Sequence, residues 1–139
     1  MIDQRTGPYG ILLLRVTMGV MLLAHAYLKA VVFGLAGSGK FFVSLGLPDW
    51  LAVPTIALEF IGGLALILGI YARWISVPLC IELLATIVIA HGGNGWFFMN
   101  KGSGWEFPAL WAAALAAVIL LGDDAMALVR SPGFRNSKS

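Results

Sequence analysis

Charge is what this chain has least of. Only 12% of its 139 residues are charged, 60% are hydrophobic, and the mean hydropathy is +0.90. A soluble domain carries roughly a quarter charged residues. Almost no polar helix face remains to meet water, which argues against a soluble all-α core. Cysteine is nearly absent too: Cys80 stands alone, which excludes an internal disulfide and a Cys-x-x-Cys redox motif and leaves it as a small buried apolar residue. The formal charge of +2 carries no nucleic-acid signature. None of the four aspartates, Asp3, Asp49, Asp123 and Asp124, falls within an apolar stretch.

Against that background the remaining ionisable residues stand out. Glu59, Glu82, Glu106, His25 and His91 all lie inside or at the edges of apolar runs. A charged side chain at a bilayer centre costs roughly 2.5–3.5 kcal/mol, so each such residue needs a partner.

Four apolar blocks, residues 9–33, 50–72, 74–91 and 105–122, each approach the roughly 20 residues that span a hydrocarbon core. They predict an all-α transmembrane four-helix bundle forming one domain over 1–139, with a tail from 123 to 139. The first block is longer than the apolar core of a signal peptide and has no convincing cleavage site, so it is expected to stay in the mature protein. In this four-span arrangement Arg5, Arg73, Arg130, Arg135 and Lys138 fall on one side and Lys40 and Lys101 on the other. The positive-inside rule then makes both termini and the short turn near Arg73 cytoplasmic. Tyr9, Tyr71 and Trp74 mark the inner interface, and Trp50, Trp96 and Trp105 the outer one.

The two outer connections are the long ones. Residues 34–49 read as a glycine-containing loop followed by a short interfacial segment, and 92–104 as a glycine-rich loop around Trp96, Phe97 and Phe98. A short echo links them, His25 with Phe41, Phe42 and Pro48 against His91 with Phe97, Phe98 and Pro108, and raises the idea of duplicated helical hairpins.

Gly34, Gly39 and Lys40 match most of a phosphate-binding loop. Phe41 replaces the hydroxyl that would hold magnesium, and no strand precedes the loop, so a nucleotide site is rejected. On the first helix, Arg15, Met18, Leu22, His25 and Lys29 form one stripe that should face the interior. Arg15 lies roughly 9 Å and Glu82 roughly 12 Å from the inner end. Matched in depth and opposite in sign, they predict an interhelical ion pair that fixes register.

In the outer half, His25, Lys29, Glu59, His91 and Glu106 are expected to converge on a pocket, with Trp96, Phe97, Phe98 and Trp105 available to pack on a ring. Glu59 shares its helix face with Gly62, Gly63 and Gly69, where another helix can approach closely. Such a cluster can handle protons or bind a quinone; its bland counterpart is a satisfied structural network. The two histidines invite a bis-histidine haem, and histidine with glutamate a zinc site. No further haem feature or recognisable metal spacing supports either, so no metal is assigned.

The ordered set of Arg15 with Gly19, His25 with Lys29, Phe41–Phe42 with Leu45–Pro48, and Glu59 with Gly62, Gly63, Gly69 and Arg73 resembles the DoxX family of small bacterial membrane proteins. His91–Gly92, Trp96–Phe98 and Gly104–Pro108 extend the resemblance over nearly the whole chain; Ala26 stands where the family usually has glycine. The resemblance implies a four-helix inner-membrane protein linked to membrane oxidoreductases, including a subunit of thiosulfate:quinone oxidoreductase. Three readings follow. The first is an oxidoreductase-associated subunit with a periplasm-side pocket for a quinone or another small ligand, served by a membrane or periplasmic electron-donating partner. The second is a non-catalytic scaffold, and the third a proton or small-solute conduit. Besides the lipid bilayer and that partner, a second copy of the chain is a further candidate to bind it; the sequence fixes neither the cofactor nor any enzymatic activity.

Overall fold

The computed structural model describes residues 1–123 and 126–133. Five α-helices account for most of it: α1 (Gly7–Tyr27), α2 (Gly34–Ser44), α3 (Ala52–Leu68), α4 (Ala72–Thr86) and α5 (Glu106–Leu121). No strand forms among the described residues; an isolated bridge joins Ile70 and Val129. The segments Gly7–Val32, Asp49–Leu68 and Ala72–Asn94 are long and apolar enough to cross a membrane, whereas α5 is equally apolar but shorter, at 16 residues. Leu13, Ile61, Ile81, Val88, Leu110 and Leu120 are exposed on the outer faces. Water penalises so much exposed apolar surface, and a hydrocarbon solvent accepts it.

The long helices form a closed ring, α3 packing on α1 and α4, and α5 packing on α4 and α1. Leu22, Leu66, Leu79, Leu115 and Val118 fill its centre with no exposed surface. Glycines set the two closest approaches. A Cβ added at Gly63 would lie 2.9 Å from the Gly19 carbonyl oxygen, and one at Gly62 would lie 2.8 Å from Leu79 Cδ1. The α3 helix is thereby drawn against α1 on one side and α4 on the other, which brings Glu59, one turn earlier, between them.

The segment 34–49, expected to be a loop leading to a short interfacial stretch, instead contains the 11-residue α2. Its fit explains the difference: a Cβ at Gly39 would meet Asp49 Cβ at 3.3 Å, and the buried Ser38 hydroxyl donates to the Lys29 carbonyl oxygen at 2.7 Å. The small residues that read as breakers are the ones that let α2 lie close to its neighbours. The echo between the halves is therefore partial, because 92–104 remains mostly loop. It survives in one respect: both histidine-bearing helices widen into a π turn, Leu28–Val32 and Ile87–His91.

At one end of the ring the chain folds back on itself. Gly69 adopts a left-handed conformation (φ 71°) that ends α3, and the Tyr71 amide then donates to the Val129 carbonyl oxygen while Val129 donates to Gly69. Trp74 Nε1 donates to the Pro132 carbonyl oxygen at 3.1 Å. Of the charges used to assign the inner side, Arg135 and Lys138 lie outside the described residues, as does Asp124.

Candidate functional site

The ring interior positions its polar residues one helix at a time. From the π turn that extends α1, Lys29 Nζ reaches Glu59 Oε1 on α3 at 2.5 Å, the Lys29 side chain being 20% exposed and that of Glu59 only 4%. A wide turn of this kind shifts the register of the residues beyond it and recurs at functional sites. Glu82 on α4 completes the group, its carboxyl within hydrogen-bonding reach of that of Glu59 and within electrostatic reach of Lys29. His25, one turn before Lys29, lies within electrostatic reach of both Lys29 and Glu59. Its ring stands edge-to-face against Trp111 of α5, with centroids 4.7 Å apart. All four long helices thus meet at one cluster of two carboxyls, one ammonium, one imidazole and one indole, in which Glu59 and Trp111 are buried and His25, Lys29 and Glu82 half-buried.

The expected Arg15–Glu82 ion pair does not form. Arg15, 1% exposed, turns its guanidinium to the end of α3, where it donates to the carbonyl oxygens of Leu66 at 2.7 Å and Ile67 at 3.1 Å. The physical reason is the helix end itself. The last carbonyls of a helix have no intrahelical donor and carry the negative end of its dipole, so a long basic side chain is a suitable partner. Glu82 is left to face Glu59, and a residue assigned to register becomes part of the site.

The other expected members are held elsewhere. Glu106 Oε1 accepts the Phe98 backbone N–H at 3.0 Å, and His91 Nδ1 bonds the Ser103 carbonyl oxygen at 2.8 Å. Both side chains therefore fasten the loop 92–104 to the end of the bundle, and no hydrogen bond or ion pair joins Glu106 to His25, Lys29 or Glu59. Trp96 of that loop packs edge-to-face on Trp105 at the start of α5, 4.5 Å away, while Phe97 and Phe98 are exposed rather than turned toward the cluster. A shallow groove lined by Trp96, Glu106, Phe107 and Leu110 runs beside them.

Trp111 is the residue the sequence reading missed. Its sequence context, the apolar interior of α5, marks it only as core. Rings connect it to the end of the bundle that carries the loop 92–104: His91 lies 5.1 Å from Phe107, and Phe107 lies 5.9 Å from Trp111.

The cluster has one further property. Glu59 Oε2 and Glu82 Oε2 are buried without a hydrogen-bond partner. Buried carboxylate oxygens are normally satisfied, so two adjacent ones call for a donor. The arrangement can accept a hydrogen bond or a proton from a small molecule.

Comparison with known proteins gives this geometry a context. The family model described as DoxX matches residues 10–92. A protein of Bacillus subtilis (strain 168) described as "Putative oxidoreductase CatD" is 35% identical over 79 residues, which cover 57% of this chain and 58% of that relative. The match thus spans a little over half the length of that relative. An "Uncharacterized protein" of Haemophilus influenzae is 25% identical over 126 residues, 90% of this chain and 92% of its own. No solved structure gives a significant match.

Proposed function

The chain belongs to the DoxX family, and from that premise we propose that it is a four-span subunit of a membrane oxidoreductase system that binds a quinone or a similar small ring against Lys29, Glu59, Glu82 and His25. The observation that carries this reading is the pair of buried carboxylate oxygens without a donor, set beside a partly accessible ammonium and a Trp111–His25 ring contact. A quinone taking up two electrons must also take up two protons, and a quinol giving them up must release two. Carboxyls accept and return protons, Lys29 stabilises charge on a ring oxygen, and Trp111 offers an apolar face. Electrons come from a partner protein. The description of the Bacillus relative as an oxidoreductase supports the same class of chemistry.

We read α5 as the fourth span. Its 16 residues reach roughly 24 Å, short of about 30 Å of hydrocarbon, and the Trp105–Glu106 junction brings it close to an interface. The cluster then lies toward the periplasmic side of the inner membrane, with both termini cytoplasmic.

Binding is tested by titrating a short-chain benzoquinone analogue into purified protein in nanodiscs and following tryptophan fluorescence. Saturable quenching is expected, weakened about 10-fold or more in Glu59→Gln or Lys29→Met, since a charge-assisted hydrogen bond is worth about 1.5–3 kcal/mol. Absence of saturable quenching in the unaltered protein sinks the proposal. A second reading is favoured by one observation, the exposed Phe97, Phe98 and Met99 on a firmly bonded loop. In it the loop docks a partner membrane protein, and the cluster serves only packing.

A further inference from the structure

Three ionisable side chains of the cluster differ in number of each sign. Lys29 supplies one positive charge, whereas Glu59 and Glu82 supply two carboxyls, and the three are mutually close inside the helix ring. Fully ionised, the group carries a net negative charge where apolar packing surrounds it. The next turn of α3 toward the core is Gly62 and Gly63, Leu83 follows Glu82, and neither α3 nor α4 offers a second cation at this level. From α1, Lys29 faces both carboxyls and His25 faces Glu59; from α5, Trp111 packs on His25 and does not titrate.

Hydrogen-bond accounting points the same way as the charge. Glu59 Oε1 has its donor in Lys29, yet Glu59 Oε2 and Glu82 Oε2 are buried with none. Two carboxyls within reach of one another lack a donor between them, and a single proton is that donor. Like charges at this separation disfavour joint ionisation, and pairs of carboxyls elsewhere hold one proton in common for that reason. One proton makes the three-residue group neutral and satisfies the open oxygens together.

We propose that Glu59 and Glu82 bind one shared proton, forming a carboxyl–carboxylate pair neutralised by Lys29, and that this pair is an exchangeable proton site within the membrane-embedded bundle. Lys29 sets the occupancy: with it one proton is held, without it two. The site exists in the ligand-free protein and does not depend on whether a ring binds.

Infrared difference spectroscopy of ligand-free protein in nanodiscs, with glutamate carbon-13 labelling and exchange into deuterium oxide, tests this directly. At neutral pH the unaltered protein should show a protonated-carboxyl band that carries the isotope shift and moves on deuteration. Either Glu59→Gln or Glu82→Gln should remove that band completely, because each leaves one carboxylate facing one ammonium. Lys29→Met should roughly double it. A missing band in the unaltered protein overturns the proposal even if a variant fails to fold, as does a band that survives either glutamine substitution or is unchanged without Lys29. Quinone is absent throughout, so this outcome is separate from the success or failure of ring binding.

Discussion

At the scale of single residues, the decisive fact is how far a side chain reaches. Arg15 and Glu82 match in depth when helices are treated as straight rods, but a guanidinium at the end of a long flexible stem is attracted by whatever acceptors it can touch. It finds the Leu66 and Ile67 carbonyl oxygens at the end of α3. Arg15→Met should therefore destabilise the protein by about 2–4 kcal/mol, because it leaves buried carbonyls without their charged donor. Glu82→Gln should cost far less. A double-mutant cycle of the two, read by denaturation in detergent, should give a coupling below about 0.5 kcal/mol, as for sites that share no partner. A coupling above about 1.5 kcal/mol would restore the ion pair that the sequence predicts.

Sequence reading at this scale succeeded where spacing along one helix was enough. The stripe through Arg15, His25 and Lys29 is buried or half-buried, and Glu59 lies on the interior face with its glycines. It failed where the answer depended on rotation between helices. Nothing in the run around Glu82 says whether its carboxyl meets Arg15 or Glu59, and nothing in the apolar sequence of α5 separates Trp111 from ordinary core. The positions of Glu106 and His91 were equally hidden, since both are set by loop backbone: a Phe98 N–H and a Ser103 carbonyl.

At the scale of elements, close packing of α3 decides whether the site assembles. Gly63 and Gly19 touch backbone to backbone, and a Cβ at Gly19 would lie 2.7 Å from the Gly63 carbonyl oxygen. That atom belongs to a helix and cannot turn away as a flexible side chain can, so α1 and α3 must separate to admit a methyl group. Gly63→Ala should cost about 1–3 kcal/mol, the usual penalty for overpacking, and lower the thermal midpoint measured in detergent. Glu59 sits one turn from the contact, so the same substitution should also loosen the Lys29–Glu59 bond. An unchanged midpoint would show that the helices are not held at this distance. The α2 helix follows the same logic: Ser38 and Gly39 look like loop residues in isolation and become helix because they fit against Lys29 and Asp49.

At the scale of the whole molecule, chain direction limits the ways the protein can thread a bilayer. The guanidinium of Arg15, in the first half of α1, meets the end of α3; Gly69 and Tyr71, at the turn into α4, meet Val129 beyond the end of α5. Three points of the chain thus gather at one end of the bundle. Since α4 leads away from that end and Val129 has returned to it, α5 must run the full way back, short as it is. On the four-span proposal this return makes an even number of passes, with Arg5 and Val129 expected on one side and Lys101 on the other. By arginine bias that shared side is expected to be the cytoplasmic one. In a Cys80→Ala background, Lys101→Cys should react with a membrane-impermeant maleimide in intact cells, and Arg5→Cys and Val129→Cys only after permeabilisation. Labelling of Arg5→Cys and Val129→Cys in opposite compartments would mean that α5 does not cross. Labelling of both from outside would invert the bundle and place the Lys29, Glu59 and Glu82 cluster near the cytoplasmic face, where its protons would exchange with the cell interior.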